Sequence, residues 1–137
     1  SCANIWNEIR VTSCSLSSIS ATGIRTMDGV VNLTVDNPAP DFILKNASGH
    51  IKHKDKDFLV VSASDLFVEG RSTKEYRVPL RGELAPGLTT LSFLGTIGTS
   101  GLSEYTIDIN ATVSTKSGFK KDIEYKNIPL EEAIKLF

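Results

Sequence analysis

Along this chain apolar and polar residues alternate far more often than they recur at helical spacing. The clearest run is Tyr105 to Val113, where Tyr105, Ile107, Ile109, Ala111 and Val113 alternate with Thr106, Asp108, Asn110 and Thr112. Successive strand side chains point to opposite faces, so such a run buries one face and wets the other. Val31, Leu33 and Val35 repeat the pattern, with Asn32 and Thr34 outward; Tyr76, Val78 and Leu80 repeat it between Arg77, Pro79 and Arg81. Pro79 has no N–H for a ladder, which predicts an edge strand or a bulge there. Phe42-Ile43-Leu44 leads toward His50-Ile51-Lys52-His53, and Phe58-Leu59-Val60-Val61 runs on to Phe67-Val68. The charged link Lys54-Asp55-Lys56-Asp57 reads as the turn of a hairpin. A last strand covers Phe119 to Ile128, with Phe119, Ile123 and Tyr125 inward, and near the start Ile9-Val11-Ser13 interleaves with Arg10-Thr12-Cys14-Leu16.

About seven or eight short strands with regular turn signals predict an all-β fold, an antiparallel β-sandwich of immunoglobulin or fibronectin-III type. Two short helices break the pattern. Pro86-Gly87 opens a segment with Leu88, Leu91 and Leu94 three apart, read as a helix near 87–95 across one end of the sheets. Pro129-Leu130-Glu131-Glu132-Ala133-Ile134 places Pro and acids in a first turn, which predicts a C-terminal helix resting on Leu130 and Ile134.

A length of 137 residues fits one domain, assigned to residues 7–137 behind a tether at 1–6. Net charge is −1 with both signs scattered, so nothing draws the chain to nucleic acid. The mild basic concentration at Arg71, Lys74, Arg77 and Arg81 is interleaved with Glu69, Glu75 and Glu83 and reads as a self-neutralising surface. No apolar run approaches the roughly 20 residues of a membrane-spanning helix.

The opening Ser1-Cys2-Ala3-Asn4 looks like the end of a bacterial lipoprotein signal, a small residue before the Cys that takes the lipid. Cys2 is therefore the expected lipid attachment, which implies a membrane partner and a place in the bacterial envelope, facing periplasm or cell surface. The sequence holds two cysteines, so a Cys2–Cys14 disulfide is the alternative, with Cys14 otherwise a half-buried thiol.

Catalytic patterns are missing. His50 and His53, the only histidines, sit on a strand where they point to opposite faces, with lysines beside them, so no metal site is expected. Gly98-Thr99-Ser100-Gly101 is a turn and not a nucleophile elbow, and no phosphate-cradling glycine pattern occurs. The chain reads as a protein that is not an enzyme and has no cofactor. Asn32-Leu33-Thr34, Asn46-Ala47-Ser48 and Asn110-Ala111-Thr112 match the N-glycosylation pattern, yet Asn32 and Asn110 serve equally as polar strand surface.

From Val31 the order of residues resembles a known family. Val31-Asn32-Leu33-Thr34-Val35-Asp36 runs into Asn37-Pro38 and then Phe42-Ile43-Leu44. This resembles the late-embryogenesis-abundant type 2 family and its WHy (water-stress and hypersensitive-response) domain. The likeness extends in order of elements over roughly residues 7 to 129, although sharp motif identity is confined to Asn37-Pro38. Where members often carry a second Asn after the Pro, this chain has Ala39-Pro40. The resemblance implies a protective, structural or scaffolding role under water stress, with partly unfolded proteins or envelope components as partners, and it transfers no catalytic residue. Asn37 and Pro38 are singled out as a structural turn: Asn caps through its own side chain and Pro fixes the backbone without leaving a donor. The competing expectation is an adhesin-like or carbohydrate-binding sandwich working through end loops such as Gly98 to Ser103. The ligand-binding residues of either reading are unspecified.

Overall fold

In a computed structural model the described residues, 9–93 and 102–130, form eight strands in one antiparallel sheet. In chain order these are β1 (Arg10–Ala21), β2 (Thr26–Asn37), β3 (Phe42–His53), β4 (Lys56–Ala63), β5 (Leu66–Val68), β6 (Ser72–Leu84), β7 (Tyr105–Ser114) and β8 (Lys120–Pro129). The pairing path runs β1-β2-β6-β4-β3-β7-β8, with β5 added to β3. The sheet folds over at β4, and inward residues of β2 and β6 meet those of β3, β5, β7 and β8. The result is an all-β sandwich with a spine at β4 and β3 and, among the described residues, two edges, β1 and β8.

Local chemistry sets the corners. Lys54 and Asp55 both take positive φ (51° and 65°), the geometry of a two-residue turn whose twist suits a hairpin, so β3 and β4 pair from His53 and Lys56 inward. Asn46, also at positive φ, lies in a bulge where the β3–β7 register shifts between Lys45 and Ser48. That bulge lets Phe42–Leu44 pair with β5 while Ser48–His53 pairs with β4.

Pro79 corrects the expectation drawn from it. Strand β6 is interior, between β2 and β4, and its register with β2 passes Pro79 without a shift. The ladder with β4 ends at Ala63–Leu80, one residue earlier, and the Pro79 carbonyl on that side accepts from the Ser64 N–H at 3.2 Å. The missing donor therefore faces a place where the neighbouring strand has already turned away.

The core is divided. Met27, Phe58, Leu59, Leu84, Phe93 and Tyr105 form a buried cluster at one end, and Val35, Phe42, Val68 and Val113 form another at the opposite end. Between them Val31, Ile107, Ile109 and Ala111 are only half-buried.

The expected helix near 87–95 is helical over 90–93 within the described residues; Leu94 lies outside them. Its inward face is not the leucine row. Leu91 is 80% exposed, whereas Phe93, at 6%, stacks on Phe58 with centroids 5.7 Å apart. The helix begins only after Thr89, whose hydroxyl accepts from Ser92 N–H at 3.1 Å as an N-cap, so Leu88 is not in phase with Leu91. At the other terminus Leu130 is helical and packs on the first cluster; the remainder of the expected C-terminal helix, Ile134 included, lies outside the described residues.

Candidate functional site

Asn37 closes β2 and is completely buried. Its Oδ1 accepts from Ala39 N–H at 2.9 Å, which is the local turn bond that Asn makes two residues on. Its Nδ2 donates across the molecule to the Glu69 carbonyl at 3.1 Å and, more weakly, to the Pro40 carbonyl at 3.4 Å. The segment between β5 and β6 answers with two bonds across to the crossover and one within its own turn. Gly70 N–H donates to Asp41 Oδ1 at 2.6 Å, Arg71 N–H to the Ala39 carbonyl at 3.1 Å, and Ser72 Oγ to the Glu69 carbonyl at 3.0 Å. The two backbones approach so closely that a Cβ on Gly70 would lie 2.5 Å from Asp41 N and 2.6 Å from the Pro40 carbonyl carbon. Asn37 and Pro38 thus belong to a latch between the β2–β3 crossover and the β5–β6 turn. It presents no reactive group; Asp41, Gly70 and Ser72 were not marked by any pattern in the sequence, and Glu69 was marked only as a surface charge.

Beside this latch the sandwich is open. A cleft of about 470 Å³ lies between the free edges β1 and β8. Val11, Leu33 and Val35 wall one side, and Val113, Ile123 and Tyr125 the other, with Phe42 and Val68 at its floor. Such volume and apolar lining are typical of small-molecule sites. The apolar surface continues along β1. Two register shifts, between Val11 and Ser13 and between Leu16 and Ser18, bring Val11, Cys14, Leu16 and Ile19 to the same face, opposite Val35, Leu33, Val31 and Gly29. Leu16 and Ile19 remain 59% and 49% exposed, because β1 overhangs the opposing layer. Cys14 is exposed for the same reason and not half-buried as its strand position predicts; partial desolvation raises its thiol pKa, which keeps it protonated.

Lys121, Asp122 and Glu124 border the mouth. Strand alternation turns Lys121 inward, opposite Val113, and Asp122 and Glu124 outward. Asp122 Oδ1 accepts from Thr112 Oγ1 at 2.9 Å, and Glu124 Oε1 lies 3.1 Å from Lys126 Nζ.

The histidines lie away from the cleft. His50 faces outward opposite Asp108, and His53 inward opposite Tyr105. His53 stacks on Tyr105 at 4.6 Å and sits 2.7 Å from Glu104 Oε2, a contact that, with Lys54, holds the Glu104 carboxyl below its ordinary pKa. Asp108 is likewise lowered, first by the Asn127 N–H at 2.8 Å and then by Lys52 at 3.3 Å. Among the described residues no group of three or more His, Cys, Asp or Glu stands close enough to hold a metal. Cys2 and the Gly98–Gly101 turn lie outside those residues.

No protein-family model matches the chain, and no curated protein matches it. Four chains of solved structures do. One of these, a crystal structure of a protein from Archaeoglobus fulgidus, is 16% identical, with a TM-score of 0.45 over 81% of this chain and 96% of its own. Among the described residues no helix is long and apolar enough to cross a membrane.

Proposed function

We propose that this is a non-catalytic binding domain of the bacterial cell envelope, tethered to a membrane by lipid on Cys2, whose working surface is the cleft between β1 and β8. Its role is protective or scaffolding, of the kind the resemblance to the type 2 late-embryogenesis family implies. The observation that carries the reading is the seam of the sandwich: a cleft of about 470 Å³ with apolar walls from both layers, in a sheet whose two edges are left apart among the described residues. A concave seam walled by apolar side chains from both layers has the form of a binding site. Transient cover for apolar segments of partly unfolded proteins or envelope components follows from it.

The test is uptake of Nile red, a neutral apolar dye, by the full chain, beside a Val11→Glu variant that places charge on one cleft wall. Blue-shifted emission with the native chain, lost in the variant while its circular dichroism is retained, supports the reading. Emission no stronger than with lysozyme overturns it.

A further inference from the structure

Resting on the cleft reading, we infer that the ligand is a free single-chain amphiphile with an anionic head, a long-chain carboxylate, whose chain lies along β1 and whose head meets Lys121.

The shape is that of one extended chain. From Val11 to Ile19 the apolar face of β1 covers roughly 25 Å at the rise of a strand. The cleft proper adds Leu33, Val35 and Ile123 to enclose one end of that path. An open-sided apolar track of that length suits an unbranched hydrocarbon, and each methylene it covers is driven in by loss of contact with water.

The charges at the mouth fix the head. Of the three charged residues there, both carboxylates face away from the cleft and are occupied, Asp122 by Thr112 and Glu124 by Lys126. Lys121 alone shares the strand face of Val113 and Ile123, at the exposed rim, and among the described residues its side chain makes no hydrogen bond or ion pair. An ammonium at the end of an apolar track complements an amphiphile whose head is negative. A cationic head would meet repulsion there, and a neutral head would gain no charge pairing. Tyr125, two strand positions beyond Ile123 on the side away from Lys121, lines the cleft further along the track.

The experiment is titration of the full chain, by displacement of Nile red below the micellar range, with hexadecanoate, hexadecanol and decanoate. It is repeated with Lys121→Met, which keeps the stem and removes the charge, with Lys121→Arg, and with Lys120→Met as a neighbouring control. The expected result is that hexadecanoate binds about threefold tighter than hexadecanol at low salt, the scale of an exposed ion pair, and that added salt narrows the gap. Lys121→Met abolishes the preference while hexadecanol binding stays, and Lys121→Arg and Lys120→Met retain it. Decanoate binds far more weakly, on the order of tenfold for each two methylenes left out of the cleft. Equal affinity for acid and alcohol, or a preference that survives Lys121→Met, overturns the assignment of the head and leaves the cleft reading intact. Nile red uptake with no displacement by any of the three ligands overturns the amphiphile alone, and no uptake at all overturns both readings. Lys121-dependent sedimentation with vesicles of anionic phospholipid, without binding of monomeric hexadecanoate, also overturns it, since the occupant is then a bilayer surface.

Discussion

Replacing Asn37 by Ala removes every bond its side chain makes and puts nothing in their place. The Ala39 N–H is the main casualty: the residue is fully buried, and Oδ1 at 2.9 Å is the acceptor its N–H uses. A buried donor left unpaired costs about 1–3 kcal/mol. The Glu69 carbonyl loses its 3.1 Å bond but keeps the Ser72 hydroxyl at 3.0 Å, and the Pro40 carbonyl loses only a long contact, so together these contribute about 1 kcal/mol. Truncation also leaves a small void where Asn37 was closed in on all sides, which adds on the order of 1 kcal/mol. The sum is about 3–5 kcal/mol, a large share of the roughly 5–15 kcal/mol that a domain holds in reserve. Urea unfolding followed by tryptophan-independent far-ultraviolet dichroism measures it as a fall in midpoint at unchanged slope. Asn37→Asp keeps the Oδ1 acceptor but turns an oxygen toward the Glu69 and Pro40 carbonyls, so it is expected to be at least as damaging as Ala. A loss below about 1 kcal/mol for Asn37→Ala, or an Asp variant of native stability, would refute the latch as an energetic element.

Gly70→Ala forces a Cβ to within 2.5–2.7 Å of the Asp41, Pro40 and Ala39 backbones, and should cost on the order of 3 kcal/mol; a native thermal midpoint would show the crossover to be looser than described. Phe93→Ala should lose about 3–5 kcal/mol and Leu91→Ala less than about 0.5, the reverse of what a Leu88-Leu91-Leu94 core face requires, and thermal melts of both variants decide it. Glu104 has a pKa lowered by His53 and Lys54, so above the ordinary glutamate range the folded protein gains stability from its ionised form. That gain disappears as pH falls through the lowered folded value, because the unfolded chain takes up its proton first. Glu104→Gln should therefore flatten the acid limb of stability against pH, and an unchanged acid limb would assign that limb to other carboxylates such as Asp108.

The strands most legible in the sequence were those whose alternation is unbroken between two partners. The Tyr105–Val113 run is β7, flanked by β3 and β8; Tyr105 and Val113 at its ends are buried as the alternation predicts, and Ile107, Ile109 and Ala111 between them are half-buried. Strand β1 was harder to read. Its two register shifts change the phase of alternation, so Val11, Cys14 and Leu16 share a face although their numbers place them in two rows. The cleft was not legible at all, because apolar residues at Val11, Leu33 and Ile123 look like core until it is known that β1 and β8 end the sheet. Asn37-Pro38 was visible as a turn. Its cross-molecule partners were not, since the bond to Glu69 spans 32 residues and no local pattern encodes it.

The divided core has a mechanical consequence. No ladder bond joins β1 to β8 among the described strands, and the two buried clusters sit at the ends of the sandwich. Widening the seam between those edges strains side-chain contacts but ruptures no backbone pairing, whereas parting β4 from β6 or β3 breaks ladders. Compliance is thus concentrated in one direction, across the seam, with the spine behaving as a stiff hinge. A guest of greater girth can be admitted by this breathing alone, and the amides of β4 and β6 would stay shielded from hydrogen exchange while those along β1 and β8 respond.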